Sequence, residues 1–127
     1  MSELPPFGLG YPGTALRRQL VEAVLRGEKT ATAGLLEEYE VEGEEIPTAG
    51  ARFALLGHDD EPVAIVEVTE ARVVPAAAID VAFARDEGEG FESVEDWRVA
   101  HEQFFGRPIG ASTQIVALRF GVAERLA

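Results

Sequence analysis

The stretch Leu20-Val21-Glu22-Ala23-Val24-Leu25-Arg26-Gly27-Glu28-Lys29-Thr30-Ala31-Thr32 turns a helix into a strand with almost no loop between them. Leu16, Leu20, Ala23 and Val24 fall at i, i+4, i+7 and i+8, one apolar stripe of an amphipathic helix. Thr14 is suited to cap its start and Gly27 to stop it. Residues 29–33 then read as a short, threonine-rich strand. Side chains alternate along a strand, so Lys29 and Ala31 face one way and Thr30 and Thr32 the other. Only a bulge or twist beside Gly27 would bring Lys29 and Thr32 together.

Outward from this stretch the chain reads as alternating turns and short elements. Upstream, Pro5-Pro6-Phe7-Gly8 and Gly10-Tyr11-Pro12-Gly13 are turn-rich, with Phe7, Leu9 and Tyr11 interleaved. Downstream, Leu35 to Tyr39 suits a single helical turn before an acidic loop. Residues 51–56 and 63–74 form an expected hairpin about Gly57-His58-Asp59-Asp60, and Pro75 ends its second strand. A short helical segment over 76–85 leads to the break Gly88-Glu89-Gly90. Ser93-Val94-Glu95-Asp96 resembles a capping box for a helix with Val94, Trp97, His101 and Phe104 on one stripe. Gly106 and Pro108 end that helix, and residues 115–122 supply the last strand. The order predicts one α+β domain over 1–127 with a mainly antiparallel sheet, without repeats or a linker.

Composition narrows the function classes. The chain has no cysteine, which excludes disulfides, thiolate metal sites and thiol nucleophiles, and its two histidines, His58 and His101, are too few for a histidine-built zinc site. No metal or other cofactor is therefore expected. No apolar run approaches the length of a membrane span, and the N-terminus carries no signal-peptide pattern, so a soluble cytoplasmic protein without membrane partners is expected. The net charge of −12 argues against tight binding to duplex nucleic acid, DNA included. Residues 1–34 carry a net +1 and the rest −13, so an anionic ligand is expected on the N-terminal third. The sequence does not define an oligomeric state.

Ten of the eleven basic residues are arginine, and Lys29 is the single lysine. A lysine offers a compact amine that can serve as base or nucleophile once desolvated, which arginine cannot. Glu67 lies on the long apolar strand, where an inward carboxylate needs a partner such as Lys29 or an arginine, so a pocket or ion-pair role stands beside an outward, exposed one. Glu87 and Glu89 sit in an acidic stretch of the kind that usually forms a solvated face. His101 shares the Trp97 stripe and reads first as a packing residue. Trp97, Phe104 and Phe105 read as core. Phe7 and Tyr11, on the opening loop, suit either stacking on a base or packing over the end of the sheet.

The Leu20–Thr32 run resembles the signature of the ASCH domain family, small β-barrel proteins related to the PUA domain. Further features resemble its longer-chain branch in the same order: Phe7-Gly8, Glu67-Val68-Thr69 with Val74-Pro75, Phe83-Ala84 with Glu87-Gly88-Glu89-Gly90, Ser93-x-x-x-Trp97-Arg98-x-x-His101 and Arg119-Phe120. Two positions depart from that pattern, Gly34 in place of a serine and Leu118 in place of a glutamate. The resemblance implies a PUA-like β-barrel with flanking helices, a cleft beside one helix, and a role in RNA-related chemistry. Some small bacterial members are amidohydrolases that remove the acetyl group from N4-acetylcytidine with a lysine, a threonine three residues later and a downstream glutamate. Another member has been described as a ribonuclease.

Carried onto this chain, the resemblance implies Lys29, Thr32 and Glu87 as catalytic residues, with Glu89 the alternative to Glu87. Phe7, Tyr11, Thr30, Glu67 and Glu89 are the expected substrate contacts. A threonine hydroxyl is a weak nucleophile until a base takes its proton, and an amine leaves only when it receives one. The expected ligand is a pyrimidine nucleoside or a short single-stranded RNA, with amide hydrolysis on an N-acylated cytidine first among activities. An RNA-binding or RNA-cleaving module and a non-catalytic ligand sensor are the alternatives.

Overall fold

The computed structural model describes residues 4–126. Its elements are β1 (Pro6–Phe7), α1 (Ala15–Leu25), β2 (Ala31–Leu35), α2 (Leu36–Glu42), β3 (Arg52–Leu56), β4 (Pro62–Pro75), a 3-10 turn (Ala76–Ala78), α3 (Val81–Asp86), α4 (Val94–Phe105) and β5 (Gln114–Arg125). The strands form one sheet in the order β1-β3-β4-β5-β2. Only the β1–β3 pair is parallel. The class is α+β, as expected, but the hydrogen-bonded ladder is open where a closed barrel was expected. β1, at one edge, is two residues long and contains a proline without an N–H, and β2, at the other, passes directly into α2.

Local chemistry sets the helix boundaries. The Thr14 hydroxyl accepts from the Arg17 N–H, Asp80 from Phe83 and Ser93 from Asp96, so each of α1, α3 and α4 starts on a side-chain cap. The buried face of α1 is Arg17, Leu20, Val21, Ala23 and Val24, one step round from the expected stripe. Leu16 is left partly exposed.

β5 is the centre of the molecule because both of its faces are buried. Val116, Leu118 and Phe120 join Leu20, Val24, Leu55, Val66 and Phe7 in one core under α1. Ile115 and Ala117 face the other way and join Ala31, Leu35, Phe83 and Trp97 in a second core under α3 and α4. β4 pairs with β5 along almost its whole length, with irregularities at Ile65/Val66 and Val68/Glu70. Its inward residues are Ala64, Val66 and Val68. Glu67 therefore lies on the opposite face, where its carboxylate pairs with Arg52 at 3.0 Å and stays partly exposed. The site described next lies where the start of β2 meets the ends of α3 and α4.

Candidate functional site

Lys29 follows α1 without a free loop. Gly27 adopts a positive φ of 79°, and the amides of Glu28 and Lys29 both donate to the Ala23 carbonyl, at 2.9 and 3.1 Å. The regular strand starts only at Ala31, two residues later than its threonine content suggested. Residues 28–30 are thus neither helix nor ladder, and strict alternation does not apply to them. Lys29 and Thr32 line the same cleft, of about 520 Å³.

The Lys29 side chain is 2% exposed. Its ammonium donates to the Ala31 carbonyl at 2.9 Å, the Glu87 carbonyl at 3.1 Å and the Glu89 carboxylate at 3.3 Å. An ammonium has three N–H groups, and all three are taken. The Glu87 carboxylate adds a charge contact at 3.6 Å. Among the described residues no hydrogen bond joins the Lys29 amine to the Thr32 hydroxyl.

The loop after α3 is fixed to this strand at several points. The Thr30 amide donates to the Asp86 carbonyl at 2.7 Å, and Arg119 from β5 holds the Asp86 carboxylate at 2.6 Å. Gly88 has a φ of 69° and lies so close to the 28–29 backbone that a Cβ there would sit 2.6 Å from the Glu28 carbonyl oxygen. Only glycine satisfies both demands.

Glu87, at the C-terminal end of α3, is 1% exposed. One carboxylate oxygen accepts from the Trp97 indole N–H in a short hydrogen bond. The other lies 3.3 Å from Nε2 of His101 as well as near Lys29. His101 stacks on Trp97 at 4.4 Å, and its Nδ1 hydrogen-bonds the Trp97 carbonyl at 2.7 Å. Burial opposes charge on this imidazole. The hydrogen bond and charge of Glu87, the Trp97 carbonyl and the Glu89 charge together outweigh that, and its pKa stands above the usual 6.5. Glu89 is the more accessible acid, with a side chain 26% exposed. Burial raises its carboxyl pKa above the usual 4.5 against the pull of Lys29, and the neighbouring Glu87 charge adds to the rise.

The expected site residues divide into two groups. Lys29, Thr32, Glu87, Glu89 and Tyr11 line the cleft together. Thr30, Phe7 and Glu67 do not. The Thr30 hydroxyl turns to the Asp86 carbonyl at 3.4 Å, and Phe7 is buried against Phe53 and Phe120. The structure adds His101, Phe91 and Phe104 to the lining. Phe104, expected in the core, is partly exposed and stacks on Tyr11 with ring centres 5.8 Å apart. The i, i+4 spacing of Trp97 and His101 was visible, but only the position of Glu87 turns that pair toward chemistry.

Arg17, on the buried face of α1, fixes the opening loop that carries Tyr11. Its guanidinium donates to the Leu9 carbonyl at 2.6 Å and the Gly57 carbonyl at 2.9 Å, and pairs with Asp60 at 2.8 Å. Beyond Thr32 a second cavity of about 420 Å³ lies between β1, β2 and the acidic segment after α2. Gly34 and Leu118 both line it. Among the described residues, no group of three histidine or acidic side chains is spaced to hold a metal ion, and no helix is long and apolar enough to cross a membrane.

Comparison with known proteins brings a family model into register with this chain, that of the ASCH domain, over residues 10–119. The crystal structure of protein EF3133 from Enterococcus faecalis V583 superposes with a TM-score of 0.86 at 25% identity, covering 98% of this chain and 79% of that one. The ASCH domain from Lactobacillus crispatus JV V101 gives 0.83 at 25% identity, covering 97% of this chain and 81% of the other. The hypothetical protein PH0355 shares the fold at 17% identity, with a TM-score of 0.60 over 82% of this chain and 91% of that one. No curated protein matches.

Proposed function

This chain belongs to the ASCH domain family, and on that premise we propose that its cleft takes up a pyrimidine nucleoside acylated on the exocyclic nitrogen and hydrolyses the amide, as a cytoplasmic hydrolase. The observation that carries this reading is the meeting of Lys29, Glu89 and Thr32 on one cleft walled by the Tyr11–Phe104 stack. The stack offers a flat face to a pyrimidine ring. Glu38 and Glu42 add to the acid of Glu87 and Glu89 along the cleft, which favours a neutral, hydrogen-bond-donating ligand over a phosphate chain. Lys29 has no free donor for a phosphate, which counts against the RNA-cleaving alternative.

In this mechanism the Thr32 oxygen bonds to the acyl carbon as its proton passes to the Glu89 carboxylate. We place proton transfer at Glu89 rather than Glu87, because both Glu87 oxygens are occupied in a closed pocket while Glu89 reaches solvent. A carboxylate whose pKa burial has raised is a better proton acceptor than a free one. On taking it, Glu89 loses its charge and its hold on Lys29. The longest of the three ammonium contacts is thereby freed for the oxyanion. Collapse breaks the carbon–nitrogen bond, and Glu89 returns the proton to the departing amine. Water then attacks the Thr32 ester, giving one proton to Glu89, which passes it to the Thr32 oxygen as the carboxylic acid leaves.

The test is incubation of the purified protein with N4-acetylcytidine and with single-stranded RNA. The expected result is release of cytidine and acetate at a rate nearly independent of salt. Absence of turnover together with RNA binding that weakens steeply with salt would replace this reading with the RNA-binding one.

A further inference from the structure

We infer that the cavity beyond Thr32 is an acyl pocket, and that the preferred substrate carries a neutral apolar acyl chain longer than acetyl. The inference rests on the amide-hydrolysis reading and extends it to the half of the substrate that reading leaves open. Thr32 lines both cavities, as do Gly8, Leu9 and Ala33, so the two spaces meet at the proposed nucleophile. An acyl carbon under attack at Thr32 must send its two substituents in different directions. The nitrogen has to lie on the Glu89 side, where its proton is supplied, and this leaves the acyl chain to enter the second cavity.

The chemistry of that cavity fits a hydrocarbon. Leu56, Phe53, Leu118 and Phe7 line it, with the ring of Tyr39 along one side. Its volume of about 420 Å³ far exceeds what an acetyl methyl needs. Gly34 lets the Tyr39 ring pack close along this wall, since a Cβ there would come 3.2 Å from the ring, and a larger side chain at 34 would displace the ring or enter the cavity. Glu44 and Glu45 also line it and would repel a chain that ends in a carboxylate.

The experiment measures kcat/KM for N4-acetyl-, N4-butanoyl-, N4-hexanoyl- and N4-succinylcytidine, and calorimetric Kd values for uncleavable N4-methyl- and N4-hexylcytidine. Each added methylene is expected to raise kcat/KM about three- to fourfold, the usual gain from burying a methylene. The succinyl compound should fall below butanoyl. Gly34→Val should lower the hexanoyl-to-acetyl ratio at least about tenfold, and Leu56→Phe should do the same if Gly34→Val fails to fold. A flat or falling series with chain length overturns the acyl pocket while leaving amide hydrolysis standing. If no acyl compound is cleaved, hydrolysis fails and the binding data decide: tighter N4-hexylcytidine upholds an apolar side pocket, and equal affinities overturn it.

Discussion

Nε2 of His101 lies 3.3 Å from a carboxylate oxygen of Glu87, while Nδ1 of the same ring meets the Trp97 carbonyl at 2.7 Å. A carbonyl only accepts, so Nδ1 carries a proton. To donate to the Glu87 carboxylate, Nε2 must carry a second one, making the ring an imidazolium. The cleft is thus backed by a charge cluster in which buried Lys29 and His101 oppose a buried Glu87 and a more accessible Glu89.

Stability is expected to fall as pH rises, in two stages. The His101 pKa is raised on folding, so its contribution is complete below about 6.5 and is lost as pH climbs through the folded value. The Glu89 pKa is also raised, so its carboxyl contributes most below about 4.5 and loses that contribution as it ionises. Denaturant titrations across pH check both stages. His101→Gln should remove the upper stage and Glu89→Gln the lower one.

The two glutamates should separate stability from activity. Glu87→Ala leaves Lys29 and His101 without their buried partner, a loss of about 3–5 kcal/mol. For a chain of this size that lowers Tm by roughly 10 °C or more. Glu89→Gln should change Tm little yet lower turnover by about two to four orders of magnitude. Thermal melts and initial rates on both variants are the check.

Gly88→Ala should disable the site without touching a charged group. The added carbon meets the Glu28 carbonyl oxygen at 2.6 Å, and the left-handed backbone adds its own strain. The 87–89 loop would have to lift from Lys29. Activity should fall at least about a hundredfold, as expected when catalytic groups move by about an ångström, and hydrogen exchange at Glu89 and Gly90 should quicken.

Arg17→Met should release the opening loop, since two buried carbonyls lose their donor and Asp60 its partner. A loss of about 2–4 kcal/mol follows from leaving those groups unpaired. Tyr11 is carried by that loop, so KM should rise more than kcat falls. Steady-state kinetics on the folded variant give the comparison.

Much of this was legible in the sequence because it rests on local chemistry. Thr14, Ser93 and Gly106 mark helix ends through caps and turns that act within a few residues, and the hairpin follows from the Gly57-His58-Asp59-Asp60 turn between two strand-like runs. The family resemblance singled out Lys29 and Thr32. What stayed hidden depends on long-range packing. Glu67 faces outward because the inward set on β4 is Ala64, Val66 and Val68, which neither face of that apolar strand announced. Phe7 is buried because a two-residue strand joins the sheet beside β3, too short to show a pattern. His101 reads as packing until Glu87, fourteen residues earlier, is brought against its ring. The split between a buried Glu87 and an accessible Glu89 comes from the close approach of Gly88 to Lys29.

The central claim is that Thr32 becomes acylated in the cleft, and intact-protein mass spectrometry after rapid acid quench tests it most directly. With an N4-acylated cytidine the account predicts a transient mass increase of one acyl group, mapped to Thr32 and absent from Thr32→Ala, which should release no cytidine. Cytidine release by folded Thr32→Ala at the wild-type rate, with no acyl adduct in either protein, would contradict it.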